Sequence, residues 1–293
     1  MEGLTIAIVG LGLMGGSLAA ALTAARQSPS VAPAPSFTVR GVARRAESIA
    51  AALEQGYIDE GTTDAVAGVR DADVVILGAP VRATIDLMQG LAGHFKPGCI
   101  VSDLGSTKAA IAQAMADLPP HVDPIGGHPM CGKEVSGLQA ADAGLFQGRA
   151  YILTPLPRTS DRAIATLQEM IRLIGARCVI LEPDRHDRLV AAVSHLPYVL
   201  AACLVNVAAG LSAEDEMLWE LVSSGFRDTS RLAASEPTMM QDILMTNREN
   251  IRQMIGRFSR CLAQCDEFLA HNNEAALAEW IGTARRRREG IFQ

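Results

Sequence analysis

The sequence of 293 residues has few aromatic residues and few charges. Aromatic residues make up 4% of the chain and charged residues 20%, whereas hydrophobic residues make up 49%. This apolar content excludes an intrinsically disordered chain and a collagen-like one. The apolar residues are mainly Ala, Leu, Val and Ile, which predicts a core of helices and buried parallel strands. The length suggests two domains of ordinary size.

The sequence also lacks a cysteine framework and an excess of basic residues. Its six cysteines show no spacing typical of disulfide scaffolds or zinc sites, and it begins without a signal-peptide pattern. We therefore predict reduced cysteines, no bound metal and a cytoplasmic protein. The net charge of −6 argues against nucleic acid or an anionic membrane as a partner. The four arginines at residues 285–288 are then interpreted as favourable charges near the end of the last helix.

Lysine is rare, because 23 of the 26 basic residues are arginine. A separate stretch, residues 189–213, contains no charged residue at all. It includes Ser194, His195, Pro197 and Asn206, which are unusual in a membrane span. We predict a helix that is buried in a globular core or at a subunit interface, and no membrane partner.

Hydrophobic patterning divides the chain near Pro183. Before it, apolar runs typical of strands alternate with helical patterns, and after it only helical patterns occur. The predicted strands are residues 4–9, 37–42, 72–77, 99–102, 150–153 and 178–181, and residues 27–36 are predicted as a surface loop. The predicted fold is α/β, with an N-terminal Rossmann-like, doubly wound, mostly parallel sheet in residues 1–182. An all-helical C-terminal domain follows in residues 183–293.

A glycine motif follows the first predicted strand directly and opens a helical pattern. Gly10, Gly12 and Gly15 form G-x-G-x-x-G, with Leu11, Leu13 and Met14 between and beside them. In this position the first glycine permits a tight turn, the second lets a pyrophosphate approach the backbone, and the third lets helix and strand pack closely. The helix N-terminus adds free N–H groups. The motif predicts a dinucleotide site.

The end of the second predicted strand distinguishes between the two nicotinamide cofactors. NAD-binding chains usually carry an acidic residue here for the adenosine ribose, but this chain has Ala43 followed by Arg44 and Arg45. Guanidinium groups pair with a 2′-phosphate, which a carboxylate would repel. We predict NADP rather than NAD, with NAD still possible. The alternative is that both arginines are simply solvated.

Three further polar clusters occur at residues 102–108, 126–137 and 224–231. In the first, Ser106 and Lys108 follow a predicted strand, where they are well placed to contact a ligand, and Ser106 is also expected to bind the cofactor. A helix cap is the other role predicted for Ser106, and it is compatible with binding. In the second, flanking glycines would bring His128 close to a ligand. In the third, Arg227 and Arg231 surround Asp228, which predicts an anion site partly ordered by an internal ion pair. These residues indicate an NADP-dependent dehydrogenase of a small anionic substrate, with His128 as base and either arginine binding a carboxylate.

Five motifs together resemble one enzyme family. They are GLGLMGGS, D-x-G-S-x-K, GGHPM-x-G-x-E-x-SG, SHLP and GFRDTSR, in this order between about Ile6 and Asn250. They resemble the prephenate/arogenate dehydrogenases of tyrosine biosynthesis. The resemblance implies a nucleotide-binding domain followed by a helical domain that forms a homodimer. It also implies oxidative decarboxylation of a cyclohexadiene that carries a C4 hydroxyl and a ring carboxylate.

The same resemblance implies roles for individual residues. His128 would bind the C4 hydroxyl and accept its proton, Ser106 would position that hydroxyl, and Arg231 would hold a substrate carboxylate. Asp228 and Glu134 would form a polar gate, and Ser194 and His195 would line the pocket, although His195 could equally be a core histidine. Two positions depart from many relatives, and these are Tyr198 and Lys133. Lys133 could favour an anionic side chain or could be a solvated charge at the rim.

Two other classes of function remain as alternatives. One is a different two-domain NADP oxidoreductase, of the β-hydroxyacid dehydrogenase or imine reductase type. The first of these would place a catalytic lysine in the helical domain, yet no lysine follows Lys133. The other is a nucleotide-sensing regulator without turnover, which would not need His128, Ser106 and Arg231 together.

Overall fold

A computed structural model of the chain describes residues 3–27 and 36–291. The described residues form one eight-stranded sheet with the order β3-β2-β1-β4-β5-β6-β7-β8. Most of the predicted loop at residues 27–36 lies outside the described residues. The strands are β1 Leu4–Val9, β2 Phe37–Val42, β3 Glu60–Thr62, β4 Val74–Leu77, β5 Ile100–Asp103, β6 Asp123–Pro129, β7 Ala150–Pro155 and β8 Arg177–Ile180.

The sheet is covered on both faces, as its continuous apolar strands require. Successive residues of β1 alternate between two hydrophobic clusters: Ile6 and Ile8 belong to one, Ala7 and Val9 to the other. The covering helices in the first part of the chain are α1 Leu13–Gln27, α2 Ala46–Glu54, α3 Ala65–Val69, α4 Val81–Leu91, α5 Ala109–Ala116 and α6 Asp161–Leu173. The predicted α/β, doubly wound fold is confirmed.

All adjacent strands pair in parallel except β6 and β7, which are antiparallel. The chain crosses from β3, at one edge, back to β4 beside β1. The carboxyl ends of β1 and β4 therefore border the crevice where a doubly wound sheet binds its ligands. The prediction of six strands was incomplete, since it missed β3 and β6. His128, predicted in a glycine-flanked segment, lies within β6.

The described residues after β8 form helices only, as predicted. These are α7 Pro183–Val190, α8 Leu196–Ser212, α9 Ser224–Ser230, α10 Pro237–Thr246, α11 Arg248–Ala270 and α12 Glu274–Ile291. By its internal contacts the chain divides into two compact units, residues 1–248 and 249–293. Side chains of Asp187, Asp242 and Thr246 bind the segments around α4 and α5, so the first four of these helices belong to the first unit. The boundary at residues 182/183 stays a prediction.

The uncharged stretch at residues 189–213 differs from the predicted core helix in two ways, while the alternative of a subunit interface stays a prediction. A turn of π-helix, Ala191–His195, separates α7 from α8, because Pro197 has no N–H to donate and its ring crowds the preceding turn. Ala201 is the one fully buried residue of α8, so the helix does not lie in the core of this chain. Pro183–Ser212 is long and apolar enough to cross a membrane by length and composition, with 22% of its apolar window buried.

Candidate active site

The glycine loop has the geometry of a dinucleotide cradle. Gly10 has φ +105°, and a Cβ there would lie 2.7 Å from the carbonyl oxygen of Gly78. A Cβ on Gly15 would lie 2.0 Å from the carbonyl oxygen of Gly10, so α1 rests directly on the loop. A Cβ on Gly12 would meet nothing within 4 Å. The loop is therefore packed at its ends and open at Gly12, where a pyrophosphate would approach.

The residues between these glycines have different surroundings. Leu11 is 6% exposed and belongs to the hydrophobic core, so only its backbone is available to a ligand. Leu13 and Met14 are half-buried and form the first turn of α1. Their free backbone N–H groups lie at the positive end of the helix dipole. The arrangement fits the phosphates of a dinucleotide, and the assignment of individual contacts stays a prediction.

The end of β2 lies beside this loop. The amide of Gly10 donates a hydrogen bond of 2.8 Å to the carbonyl oxygen of Val42. Arg44 and Arg45 follow two and three residues later and are exposed, and neither guanidinium group has a hydrogen bond or ion pair with the described residues. Both guanidinium groups are therefore available to a ligand that reaches past the end of β2.

A buried ion pair fixes the neighbouring ends of β5 and β6. Lys108 and Asp103 are both fully buried, and their side chains are paired. Lys108 Nζ also donates to the carbonyl oxygen of Gly127 (2.7 Å), while Asp103 accepts from the amides of Gly105 (2.7 Å) and Gly127 (3.0 Å). Burial lowers the pKa of Lys108, and the adjacent carboxylate of Asp103 opposes that shift. The pair holds the backbone directly before His128.

His128 belongs to a chain of three buried side chains. Its Nδ1 lies 2.8 Å from Nε2 of His186, and Nδ1 of His186 lies 2.8 Å from Oδ1 of Asp187. Asp187 in turn accepts from the backbone amides of Lys108 (2.7 Å) and Ala109 (3.0 Å) at the start of α5. His128 is 7% exposed, and within the described residues its Nε2 makes no hydrogen bond. That nitrogen is left for a ligand.

The electrostatics of this chain keep His128 neutral. Burial lowers the pKa of His128 well below 6.5, and His186, Lys108 and His195 lower it further. An imidazole that is neutral at physiological pH can accept a proton, which is what a general base must do.

A second buried imidazole, His195, lies at the end of the π-helical turn. Its Nδ1 lies 3.2 Å from Nδ2 of Asn247, an amide that also donates to the backbone carbonyl of Asp187 (2.7 Å). Since an amide nitrogen donates, Nδ1 accepts and the proton of neutral His195 is on Nε2, which has no partner among the described residues. Burial lowers the pKa of His195 from 6.5 to about 4. Ser194, the preceding residue, is half-buried.

Arg231 is connected to the segment that follows His128. Its guanidinium is paired with Glu134, six residues after His128 in the chain. Arg227 and Asp228 are exposed. Within the described residues Asp228 forms no ion pair with Arg227 or with Arg231. The predicted internal ion pair at residues 227–231 is therefore wrong, because the acidic partner of Arg231 comes from the segment after β6.

The structure also shows the surroundings of two other predicted site residues, Lys133 and Ser106. Lys133 is exposed and paired with Asp142 at 3.0 Å, as a rim charge would be. Ser106 is half-buried and does not cap α5, since Asp187 accepts the first amides of that helix. The alternative of a helix cap is thus excluded for Ser106, and its hydroxyl has no partner within the described residues.

Sequence reasoning missed several residues of the site. They are His186, Asp187, Asp103 and Asn247. Lys108 was expected to contact a ligand, whereas the structure pairs its buried side chain with Asp103. Among the described residues no group of three His, Cys, Asp or Glu side chains could hold a metal ion.

Known proteins resemble this chain over both of its parts. The model of the prephenate dehydrogenase nucleotide-binding domain matches residues 32–180, and the model of the prephenate dehydrogenase dimerization domain matches residues 182–283. The prephenate dehydrogenase of Bacillus subtilis is 32% identical, over 98% of this chain and 76% of that protein. The cyclohexadienyl dehydrogenase of Zymomonas mobilis is 33% identical, over 97% of this chain and 94% of that protein.

A solved structure agrees with the fold. Prephenate dehydrogenase from A. aeolicus, in complex with hydroxyphenyl propionate and NAD+, has a TM-score of 0.90 and 30% identity, and 99% of each chain is covered.

Proposed function

The chain belongs to the prephenate dehydrogenase family, and from this premise we propose that it oxidises and decarboxylates prephenate, arogenate or both in tyrosine biosynthesis. The C4 hydroxyl loses its proton to the enzyme, and C4 loses hydride to a nicotinamide dinucleotide. The ring carboxylate leaves as CO2, its bonding electrons make the ring aromatic, and the C4 oxygen takes back a proton. The products are 4-hydroxyphenylpyruvate from prephenate and tyrosine from arogenate.

The observation that carries this proposal is the buried chain that ends at His128. An imidazole with Nδ1 occupied and Nε2 free, at the carboxyl end of a strand, is placed to take the hydroxyl proton. Among the described residues the hydroxyl of Ser106 has no partner, and it lies in the segment that precedes Lys108 and Ala109, whose amides anchor the same chain. We assign it to the orientation of the substrate hydroxyl.

We assign the recognition of a substrate carboxylate to Arg231. Its present partner, Glu134, is a single carboxylate with 30% of its side chain exposed, so a substrate anion can replace it. Glu134 and Asp228 then form the polar gate, and Arg227, Ser194, His195 and Lys133 are assigned to the surrounding pocket. His195 offers an N–H donor from Nε2, which complements the acceptor that His128 offers.

The residues present fit a nicotinamide dinucleotide, because the loop is open at Gly12 and α1 begins there. When bound, the nicotinamide supplies the hydride acceptor. We propose NADP over NAD, since Arg44 and Arg45 are exposed beside the end of β2 and no carboxylate occupies position 43. The alternatives of another two-domain oxidoreductase or a regulator without turnover are not favoured, given the family and the site.

We further propose two domains, residues 1–182 for the cofactor and 183–293 for substrate and dimerisation, in a cytoplasmic homodimer. Large apolar side chains are exposed on and near α8, among them Val193 (70%), Val207 (73%) and Leu221 (76%). An apolar surface of this kind is typical of a subunit interface. The six cysteines are all free, which is consistent with a reducing compartment.

Initial rates decide the proposal. The enzyme is mixed with prephenate or arogenate and with NADP or NAD, and reduced nicotinamide is followed by its absorbance. We expect turnover with at least one substrate and a higher kcat/KM with NADP. Absence of turnover in all four combinations would refute the activity, and a higher kcat/KM with NAD would refute the cofactor preference. An Arg44→Ala/Arg45→Ala variant should lose the NADP preference while NAD turnover remains.

A further inference from the structure

The carboxylate of Asp187 is held at the first turn of α5 with both oxygens engaged. Oδ1 accepts from the amide of Lys108 and from Nδ1 of His186, and Oδ2 accepts from the amide of Ala109. Charge-assisted hydrogen bonds and the positive end of a helix dipole both stabilise the ionised carboxylate. An ionised carboxylate only accepts, so Nδ1 of His186 must carry a proton.

The proton on Nδ1 of His186 determines which of the next two imidazole nitrogens carries a proton. Taken as neutral and protonated on Nδ1, His186 has its lone pair on Nε2. The atom that faces this lone pair at 2.8 Å is Nδ1 of His128, which must therefore donate. Neutral His128 then has its own lone pair on Nε2, the nitrogen without a partner among the described residues. Each step follows from the one before, and no other arrangement of the two neutral rings satisfies both contacts.

We infer that His186 and Asp187 are positioning residues that hold His128 in the tautomer with a bare Nε2. The inference rests on the proposed function only in taking His128 as the base for the substrate hydroxyl. Because His186 is fully buried and Asp187 is 1% exposed, no solvent molecule can replace either contact without rearrangement. The opposite tautomer of His128 would place an N–H where the reaction needs an acceptor, and it would leave Nδ1 facing another lone pair.

The contact with Asn247 assigns His195 the opposite tautomer, with its proton on Nε2. The two buried imidazoles would thus offer one acceptor and one donor, and this difference gives an internal reference for the experiment. The chain contains six histidines, so each can be assigned by single substitution.

The direct test is 15N NMR of the full-length protein labelled on histidine, near neutral pH and without substrate. Long-range proton–nitrogen correlations distinguish the two neutral tautomers. We expect a proton on Nδ1 of His128 and of His186, and a proton on Nε2 of His195. A proton on Nε2 of His128 would overturn the inference whatever the enzyme catalyses. If the expected tautomers are present but prephenate and arogenate are not oxidised, the proposed function fails and the tautomer assignment stands.

Two substitutions at residue 186 separate positioning from packing. His186→Leu fills the space but offers no acceptor, and His186→Gln places an amide oxygen near the former Nε2. We expect His186→Leu to lower kcat about 10- to 100-fold with little change in KM for the dinucleotide, and to mix the tautomers of His128. His186→Gln should recover most of kcat and the original tautomer. His94→Gln is the matched control, because His94 is exposed.

Equal losses in the Leu and Gln variants, or an unchanged His128 tautomer in His186→Leu, would overturn the inference. If His186→Leu does not fold, the spectrum of the unsubstituted protein still decides the tautomer, and His186→Gln still decides the role of the acceptor.

Discussion

Substitution of Lys108 by Met would test how strongly the buried ion pair supports the site. Met keeps the length and volume of the side chain but removes its charge. The change leaves the carboxylate of Asp103 fully buried without its cation, and it removes the hydrogen bond to the carbonyl of Gly127. Breaking a buried pair by removing one partner costs about 3–5 kcal/mol, because the remaining charge is uncompensated.

The free energy of unfolding is measured by urea denaturation followed by far-UV circular dichroism. Lys133→Met is the matched control, since Lys133 pairs with Asp142 at the surface with 40% of its side chain exposed. Surface pairs contribute about 0–1 kcal/mol. We also expect the deficit of Lys108→Met to shrink as the pH falls, because the stranded carboxylate can then take up a proton. A deficit as small as that of the control would refute the reasoning.

Three further predictions concern the glycine loop, the buried histidines and the anion site. Gly15→Ala should lower the free energy of unfolding by about 1–3 kcal/mol, since its Cβ would lie 2.0 Å from a backbone oxygen. Gly12→Ala should leave urea unfolding unchanged but weaken dinucleotide binding, which is measured by fluorescence. In the folded protein His195 stays neutral until about pH 4, so the unfolded chain takes up this proton first as the pH falls below 6.5. The free energy of unfolding should therefore drop by about 2 kcal/mol at pH 5. His195→Gln should remove this part of the pH dependence. In steady-state kinetics His128→Asn should lower kcat about 10²- to 10⁴-fold with dinucleotide binding intact, and Arg231→Ala should mainly raise substrate KM. Nearly full activity of His128→Asn would contradict the assigned chemistry.

Sequence patterns predicted the features that depend on local chemistry. The run of apolar residues in β1 and the three glycines after it require a buried parallel strand and a turn against a helix, and the structure contains both. The last strand was predicted at residues 178–181, close to the observed β8 at Arg177–Ile180, since helical periodicity replaces apolar runs after Pro183. Each of these signals is contained in a short stretch of neighbouring residues.

The strand β6 was missed because its residues look like a loop. Its sequence is D-P-I-G-G-H-P, and two prolines and two glycines argue against a strand. The structure shows why the glycines are needed. A Cβ on Gly126 would lie 2.2 Å from Oγ1 of Thr154, and a Cβ on Gly127 would lie 2.5 Å from the carbonyl oxygen of Asp103. Glycine is thus required at these two positions, because β6 lies between β5 and β7 with no room for a Cβ there. No local sequence pattern encodes this contact.

The pairing of Arg231 and the chain through His186 escaped prediction for a related reason. Each depends on segments that are distant in the sequence: Glu134 and Arg231 are 97 residues apart, and His128 and His186 are 58 apart. Sequence analysis named His128 and Arg231 because the motifs that contain them are distinctive, and their roles stay predictions. It did not name Glu134 as the partner of Arg231, or His186 as the partner of His128.

The orientation of His128 depends on contacts from three elements at once. Strand β6 supplies the imidazole, α7 supplies the histidine and carboxylate behind it, and α5 supplies the amides that anchor the carboxylate. A change at the first turn of α5 can therefore alter the tautomer of a base on another element without touching it. The same turn begins at Lys108, whose side chain holds the backbone of Gly127. The backbone amide of Lys108 anchors the carboxylate of Asp187, and its side chain holds the backbone before His128. In the proposed arrangement this one residue therefore supports both the position and the tautomer of His128.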